Sequence, residues 1–68
     1  MSWITKNTIA NILVRRDGIS REEAEDIINN CQWELNNAFA SGNIDEAEEI
    51  VEDWLGLEPE YLEAFLII

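Results

Sequence analysis

From Asn43 to Leu55 the chain reads NIDEAEEIVEDWL, and at 100° per residue these side chains fall onto two faces. Ile44, Ala47, Ile50, Val51, Trp54 and Leu55 share one face, while Asp45, Glu46, Glu48, Glu49, Glu52 and Asp53 share the other. This is the pattern of an amphipathic helix with an all-acidic back. Asn43 supplies its cap, with Glu46 three residues on, and Gly56 supplies a left-handed exit from which Leu57 folds back. No stretch of the chain alternates apolar and polar residues for long enough to build a sheet.

The remaining segments are punctuated in the same way. Thr5 to Arg16 reads as a first helix, with Ile9, Ala10, Ile12, Leu13 and Val14 on a wide apolar arc that Trp3 extends at its start. An arc this wide asks for burial against more than one neighbour. Arg15 and Arg16 complement the helix dipole in the last turn, and Asp17-Gly18 ends it, so RRDG reads first as a helix stop and only second as an anion clamp. Ser20 with Glu23 forms a capping box, and Ile19 can staple onto Ala24. The second helix then runs to about Ala40 with a core stripe of Ala24, Ile27, Ile28, Cys31, Leu35, Ala38 and Phe39, and Ser41-Gly42 closes it. Glu58-Pro59 opens a short fourth helix, because proline is favoured at the first helical position. Its Tyr61, Leu62, Phe65, Leu66, Ile67 and Ile68 must either seal the bundle or pair with another chain.

Trp33 breaks the pattern of the second helix. It lies opposite the core stripe, and its neighbours three and four positions away on either side are Asn29, Asn30, Asn36 and Asn37. Asparagine is a poor helix former in mid-helix, so four around one off-stripe tryptophan mark either a specific packing site or an aromatic anchor with a hydrogen-bonding rim. In the packing case the first helix, the C-terminal segment or a second copy of the chain covers Trp33.

Sixty-eight residues make one domain, 1–68, whose core supplies only about 3–5 kcal/mol without staples. Cys31 is the one cysteine and sits at an apolar helical position, so it reads as a buried, inert thiol with no disulfide framework or metal spacing. The chain opens without a basic-then-apolar leader and has no apolar run of membrane-helix length, which leads us to expect a cytoplasmic protein that does not enter a membrane. Charge is lopsided. Lys6, Arg15, Arg16 and Arg21 against Asp17 give +3 over the first 21 positions, and from Glu22 onward fourteen carboxylates without a cation give −14. Intramolecular pairing can neutralise little of this, so the acidic part repels itself and attracts cationic partners. Solubility alone is the plainer explanation of an acidic face, yet surfaces tuned for solubility usually mix signs.

Catalysis finds no support in the residues. There is no histidine, no glycine-rich phosphate loop, no serine with a base partner, and no DxDxDG calcium loop. Carboxylates on an open helical face have nothing to drive their pKa values apart. We therefore expect no enzyme, no cofactor and no metal. Direct binding to nucleic acid is disfavoured because phosphates would meet their own sign. Carboxylates at i, i+3 and i+4 do form a row about 5–6 Å apart, which to a Lys- and Arg-lined groove resembles a phosphate backbone.

The run RRDGISREEAEDII, followed by ASGNIDEAEEIVEDWLGLEPEYLEAFL, resembles small acidic accessory proteins of phages and prophages that share an RDG-(I/M)-S-x-x-E-A start and an LGLEP-(D/E)-Y-L end. The resemblance covers about residues 15–66. It implies a setting in which small acidic helical proteins inhibit host defence machinery that handles nucleic acid, including CRISPR effectors and restriction enzymes, and it transfers no functional residue. GISREEA and GNIDEAEEIVEDWL are also similar, more weakly, to ubiquitin-associated three-helix domains. The middle helix here is about twice as long as theirs, and Asp17-Gly18-Ile19 stands where they carry a Met-Gly-Phe type loop.

Together these readings predict an all-α bundle of three main helices plus a short C-terminal helix, pairing as a homodimer at micromolar concentration. Its expected role is a non-catalytic inhibitor or adaptor, a nucleic-acid mimic working in the host cytoplasm on a basic protein groove. The expected contact residues are Asp45, Glu48, Glu49, Glu52 and Asp53, with Trp33, Asn29, Asn30, Asn36 and Asn37. The competing expectation is a structural subunit that oligomerises through Trp33 and its apolar C-terminus.

Overall fold

The computed structural model describes residues 4–66, and over that span the protein is an all-α bundle. Three main helices, α1 (Lys6–Asp17), α2 (Arg21–Ala40) and α3 (Ile44–Leu55), are followed by a 3₁₀ turn at Pro59–Leu62 that continues into α4 (Glu63–Leu66). The long α2 packs against both α1 and α3, and the Pro59–Leu62 turn packs against α3.

Each of the three main helices starts where a short polar side chain can satisfy backbone donors that the helix leaves free. At α1 the Thr8 N–H donates to Thr5 Oγ1 (3.2 Å) and the Thr5 N–H donates to Thr8 Oγ1 (3.4 Å), a reciprocal box built from two threonines. At α2 the Glu23 N–H donates to Ser20 Oγ (3.1 Å). At α3 the Glu46 N–H donates to Asn43 Oδ1 (3.1 Å), and Asn43 Nδ2 donates in return to the Glu46 carboxylate (3.0 Å). The α2–α3 turn is tight for the same reason. The Asn43 N–H donates to the Ala38 carbonyl and the Gly42 N–H to that of Phe39, the paired bonds of a Schellman end, so Asn43 both closes α2 and caps α3.

Gly18 and Gly56 stand at φ 67° and 64°, the left-handed region expected at the ends of α1 and α3. A Cβ at Gly18 would touch nothing, so Gly18→Ala isolates the conformational cost and should lower stability by about 1 kcal/mol. At Gly56 a Cβ would stand 3.2 Å from Arg16 Nη1, which donates to the Gly56 carbonyl (3.3 Å), so Gly56→Ala should cost at least as much. Thermal melts of both variants check these helix ends; unchanged midpoints would contradict them.

One core gathers Ile9, Ala10 and Leu13 of α1, Ala24, Ile28, Cys31, Leu35 and Ala38 of α2, Ala47, Val51 and Leu55 of α3, and Ile4, Leu62, Ala64 and Phe65 from the two ends. Burial of a side chain such as Leu13, Leu35 or Leu55 contributes on the order of 1.5–3 kcal/mol. The wide arc of α1 is divided between levels of burial, with Val14 half-buried against the core and Ile12 at intermediate exposure. Of the apolar C-terminal run, Leu62 and Phe65 seal the bundle, whereas Leu66 is exposed. Trp3, Ile67 and Ile68 lie outside the described residues.

The expected apolar face of α3 is broader than the part the core covers. Ala47, Val51 and Leu55 are buried and Ile50 is half-buried, but Ile44 is 55% and Trp54 42% exposed. Ile44 is the first helical residue, and a helical side chain leans toward the N-terminus, here past the packed region. Trp54 lies within the arc by angle but is the penultimate residue of α3.

Candidate interaction surfaces

The acidic side of α3 stands clear of the bundle. Asp45, Glu46, Glu49, Glu52 and Asp53 are all exposed. Glu48 departs from the expected all-acidic back: its neighbours on the helix surface are Ile44 at i−4 and Val51 at i+3, so it lies on the flank of the apolar face and is half-buried. The free acidic face is therefore narrower than the sequence pattern drew it.

Among the described residues the ion pairs are Arg16–Asp17 (2.9 Å) and Arg21–Glu25 (3.1 Å), and neither reaches α3. The other contacts of the cations explain why. Arg21 also donates to Asn11 Oδ1 (3.0 Å) and to Asn7 Oδ1, which ties α2 to α1. Arg16 reaches across to the Gly56 carbonyl, placing a positive charge at the C-terminal end of the α3 dipole. Lys6 Nζ lies 5.7 Å from the centroid of the Phe65 ring. Arg16 is thus a brace between helix ends, in line with reading RRDG as a helix stop.

At the C-terminal turn, carboxylates crowd one another. A side-chain hydrogen bond with Glu58 raises the pKa of Glu60 above the ordinary carboxylate value, and the charges of Glu58 and Glu63 add to the shift. A carboxyl that holds its proton more tightly when folded favours the fold below its ordinary pKa, and that contribution is lost as pH rises through the raised value. Asp17 shifts the other way, lowered by its hydrogen bond to Arg16, so its contribution disappears only on stronger acidification. The melting temperature should therefore rise as pH falls through the raised pKa of Glu60 toward the ordinary carboxylate value, then decline in stronger acid as Asp17 is protonated. A melting temperature that falls steadily over the first interval would contradict this balance.

On α2, Trp33 is 65% exposed, so the described chain leaves most of it uncovered. Asn29, Asn30, Asn36 and Asn37 around it are exposed too, with Gln32 Nε2 donating to Asn36 Oδ1 (2.9 Å). No hydrogen bond or ion pair joins this patch to the α3 carboxylates among the described residues. The sequence reading missed Ile44, Trp54 and Leu66 as exposed apolar side chains. Their signal is positional, since each stands within the first or last two residues of its helix.

Cys31 is buried, and burial, helped by the nearby charge of Glu34, pushes its thiol pKa up to about 11. Shallow clefts open beside α1. One of about 230 Å³ is lined by Lys6, Asn7, Ala10, Arg21, Glu25, Ile28 and Asn29, and the other by Ile4, Thr5, Lys6, Asn7 and Ala64. Among the described residues no group of histidine, cysteine and carboxylate side chains is placed to hold a metal ion, and no helix is long and apolar enough to cross a membrane.

The fold and its surfaces define a small all-α bundle with an acidic helix face that has no cationic partner among the described residues. Comparison with protein-family models, with curated proteins and with solved structures finds no match.

Proposed function

We propose that the protein is a non-catalytic acidic decoy that occupies the nucleic-acid groove of a basic host protein, such as a CRISPR or restriction effector, in the host cytoplasm. The observation that carries this reading is the α3 face itself. Asp45, Glu46, Glu49, Glu52 and Asp53 are exposed on a helix anchored by three buried residues, and no cation reaches them among the described residues. Rigidly held carboxylates one turn apart, about 5–6 Å between Cβ atoms, keep their full charge available to Lys and Arg side chains spaced for phosphates. The resemblance of residues 15–66 to acidic phage accessory proteins supports the same setting.

Charge complementarity of this kind is sensitive to salt and to competition. Immobilised protein should capture its target from host lysate at ~0.05 M NaCl and release it at ~0.5 M, where exposed charges are screened. Duplex DNA should displace the target, because both ligands would use one groove. Capture that survives high salt and ignores DNA would overturn the decoy reading.

A further inference from the structure

The outer face of α2 differs from the other surfaces that follow Arg21. From Asn29 to Ala40 its outward residues are Asn29, Asn30, Trp33, Asn36, Asn37 and Ala40, all exposed and all uncharged. They lie within a segment that carries fourteen carboxylates and no cation. Glu34, the carboxylate beside Trp33 in sequence, is turned to the flank and half-buried. The arrangement is also symmetric in sequence. Asparagines stand at three and four residues on either side of Trp33, so the run N-N-x-x-W-x-x-N-N reads the same in both directions.

A palindrome on a helix has a direct counterpart in space. A two-fold axis through its centre pairs the helix antiparallel with a copy of itself, setting position −4 opposite +4 and −3 opposite +3. About Trp33, that places Asn29 against Asn37 and Asn30 against Asn36 of the second copy. A carboxamide carries donors and an acceptor on one group, so such pairs are self-complementary, and the acceptor role of Asn36 toward Gln32 leaves its own amide N–H groups to donate. The two tryptophans meet at the axis, where offset stacking is favourable. One step further out, Asp26 faces Ala40, so no carboxylate opposes another.

Charge selects the occupant. Each copy carries a net charge of −11, so a second copy is repelled by the acidic surface elsewhere and meets least repulsion at this neutral strip. A basic partner would find no charge there to pair with. We propose that the outer face of α2, centred on Trp33, is an antiparallel homodimer interface. This contact does not use the α3 face, and the salt dependence has the opposite sign: screening the −11 charges strengthens the dimer, whereas it weakens capture of a basic target.

Sedimentation velocity of the full chain at ~200 μM should give a dimer mass at ~0.5 M NaCl and a smaller dimer fraction at ~0.05 M, because salt screens the repulsion between copies. Trp33→Ala, with helix content checked by circular dichroism, should weaken the dimer by about 30-fold or more, the scale of an interface hot spot. Orientation is read by mixing Asn30→Cys chains with Asn36→Cys chains and adding a short bis-maleimide, which the buried Cys31 thiol does not reach. Mixed 30-to-36 cross-links should exceed like-with-like ones. A monomer mass at high salt, a dimer that Trp33→Ala leaves unchanged, or a predominance of 30-to-30 and 36-to-36 cross-links would each overturn the proposal.

Discussion

Reversing Glu49 and Asp53 to lysine should abolish capture of the basic target while leaving the melting temperature equal or higher. Both side chains are exposed, and neither takes part in an ion pair among the described residues, so their replacement removes no internal contact. They stand at i and i+4, a like-charge pair that costs the helix about 0.2–0.5 kcal/mol. Lysine at position 49 would instead face Asp45 and Glu46 one turn away, and lysine at 53 would complement the C-terminal end of the α3 dipole. With each reversal adding two charges, the net charge moves from −11 to −7, which relieves self-repulsion further. Glu48 is a poor choice for this test, because its half-buried position beside Ile44 and Val51 mixes packing with charge. For a groove that recognises charge, two reversed contacts should slow association and weaken binding by at least about tenfold. Calorimetric titration of the captured protein at ~0.15 M salt, beside a thermal melt, reads both quantities. Unchanged affinity would remove the α3 face from the interaction.

The helix pattern was legible because local chemistry and burial agree on it. Asn43, Ser20 and the glycines at 18 and 56 stand where the capping and left-handed conformations require them. The Thr5–Thr8 box was harder to see, since a threonine replaces the usual glutamate or glutamine as the reciprocal acceptor. What periodicity could not give is the width of a buried face. A helical wheel assigns Ile44, Glu48 and Trp54 by angle alone, whereas their exposure depends on where along α3 the neighbouring elements stop. The roles of Arg16 and Arg21 were hidden for a related reason. Their hydrogen bonds to Gly56 and Asn7 span 40 and 14 residues of sequence, and spacing within one helix carries no trace of them. Trp33 was placed opposite the core by its angle, and the described residues of its own chain leave it mostly exposed.

Leu35→Ala should unfold the protein at room temperature, while Trp33→Ala, two residues away on the same helix, should leave the monomer fold intact. Leu35 is fully buried at the meeting of α2 with the rest of the core, and truncating a buried leucine removes transfer free energy and leaves a cavity, together about 3–5 kcal/mol. A core of this size without a disulfide or metal supplies roughly that much in total, so little folded protein would remain. Trp33, at 65% exposure, stands outside the core, and a surface substitution of this kind changes stability within about 0.5 kcal/mol. The comparison must be made at low micromolar concentration. If α2 pairs with a second copy, mass action adds a concentration-dependent term that would make Trp33→Ala look destabilising only at high concentration. Urea titrations followed by circular dichroism at two concentrations separate these effects. Equal losses in both variants at the lower concentration would mean that Trp33 is packed within the monomer while Leu35 stays buried, contrary to its 65% exposure here.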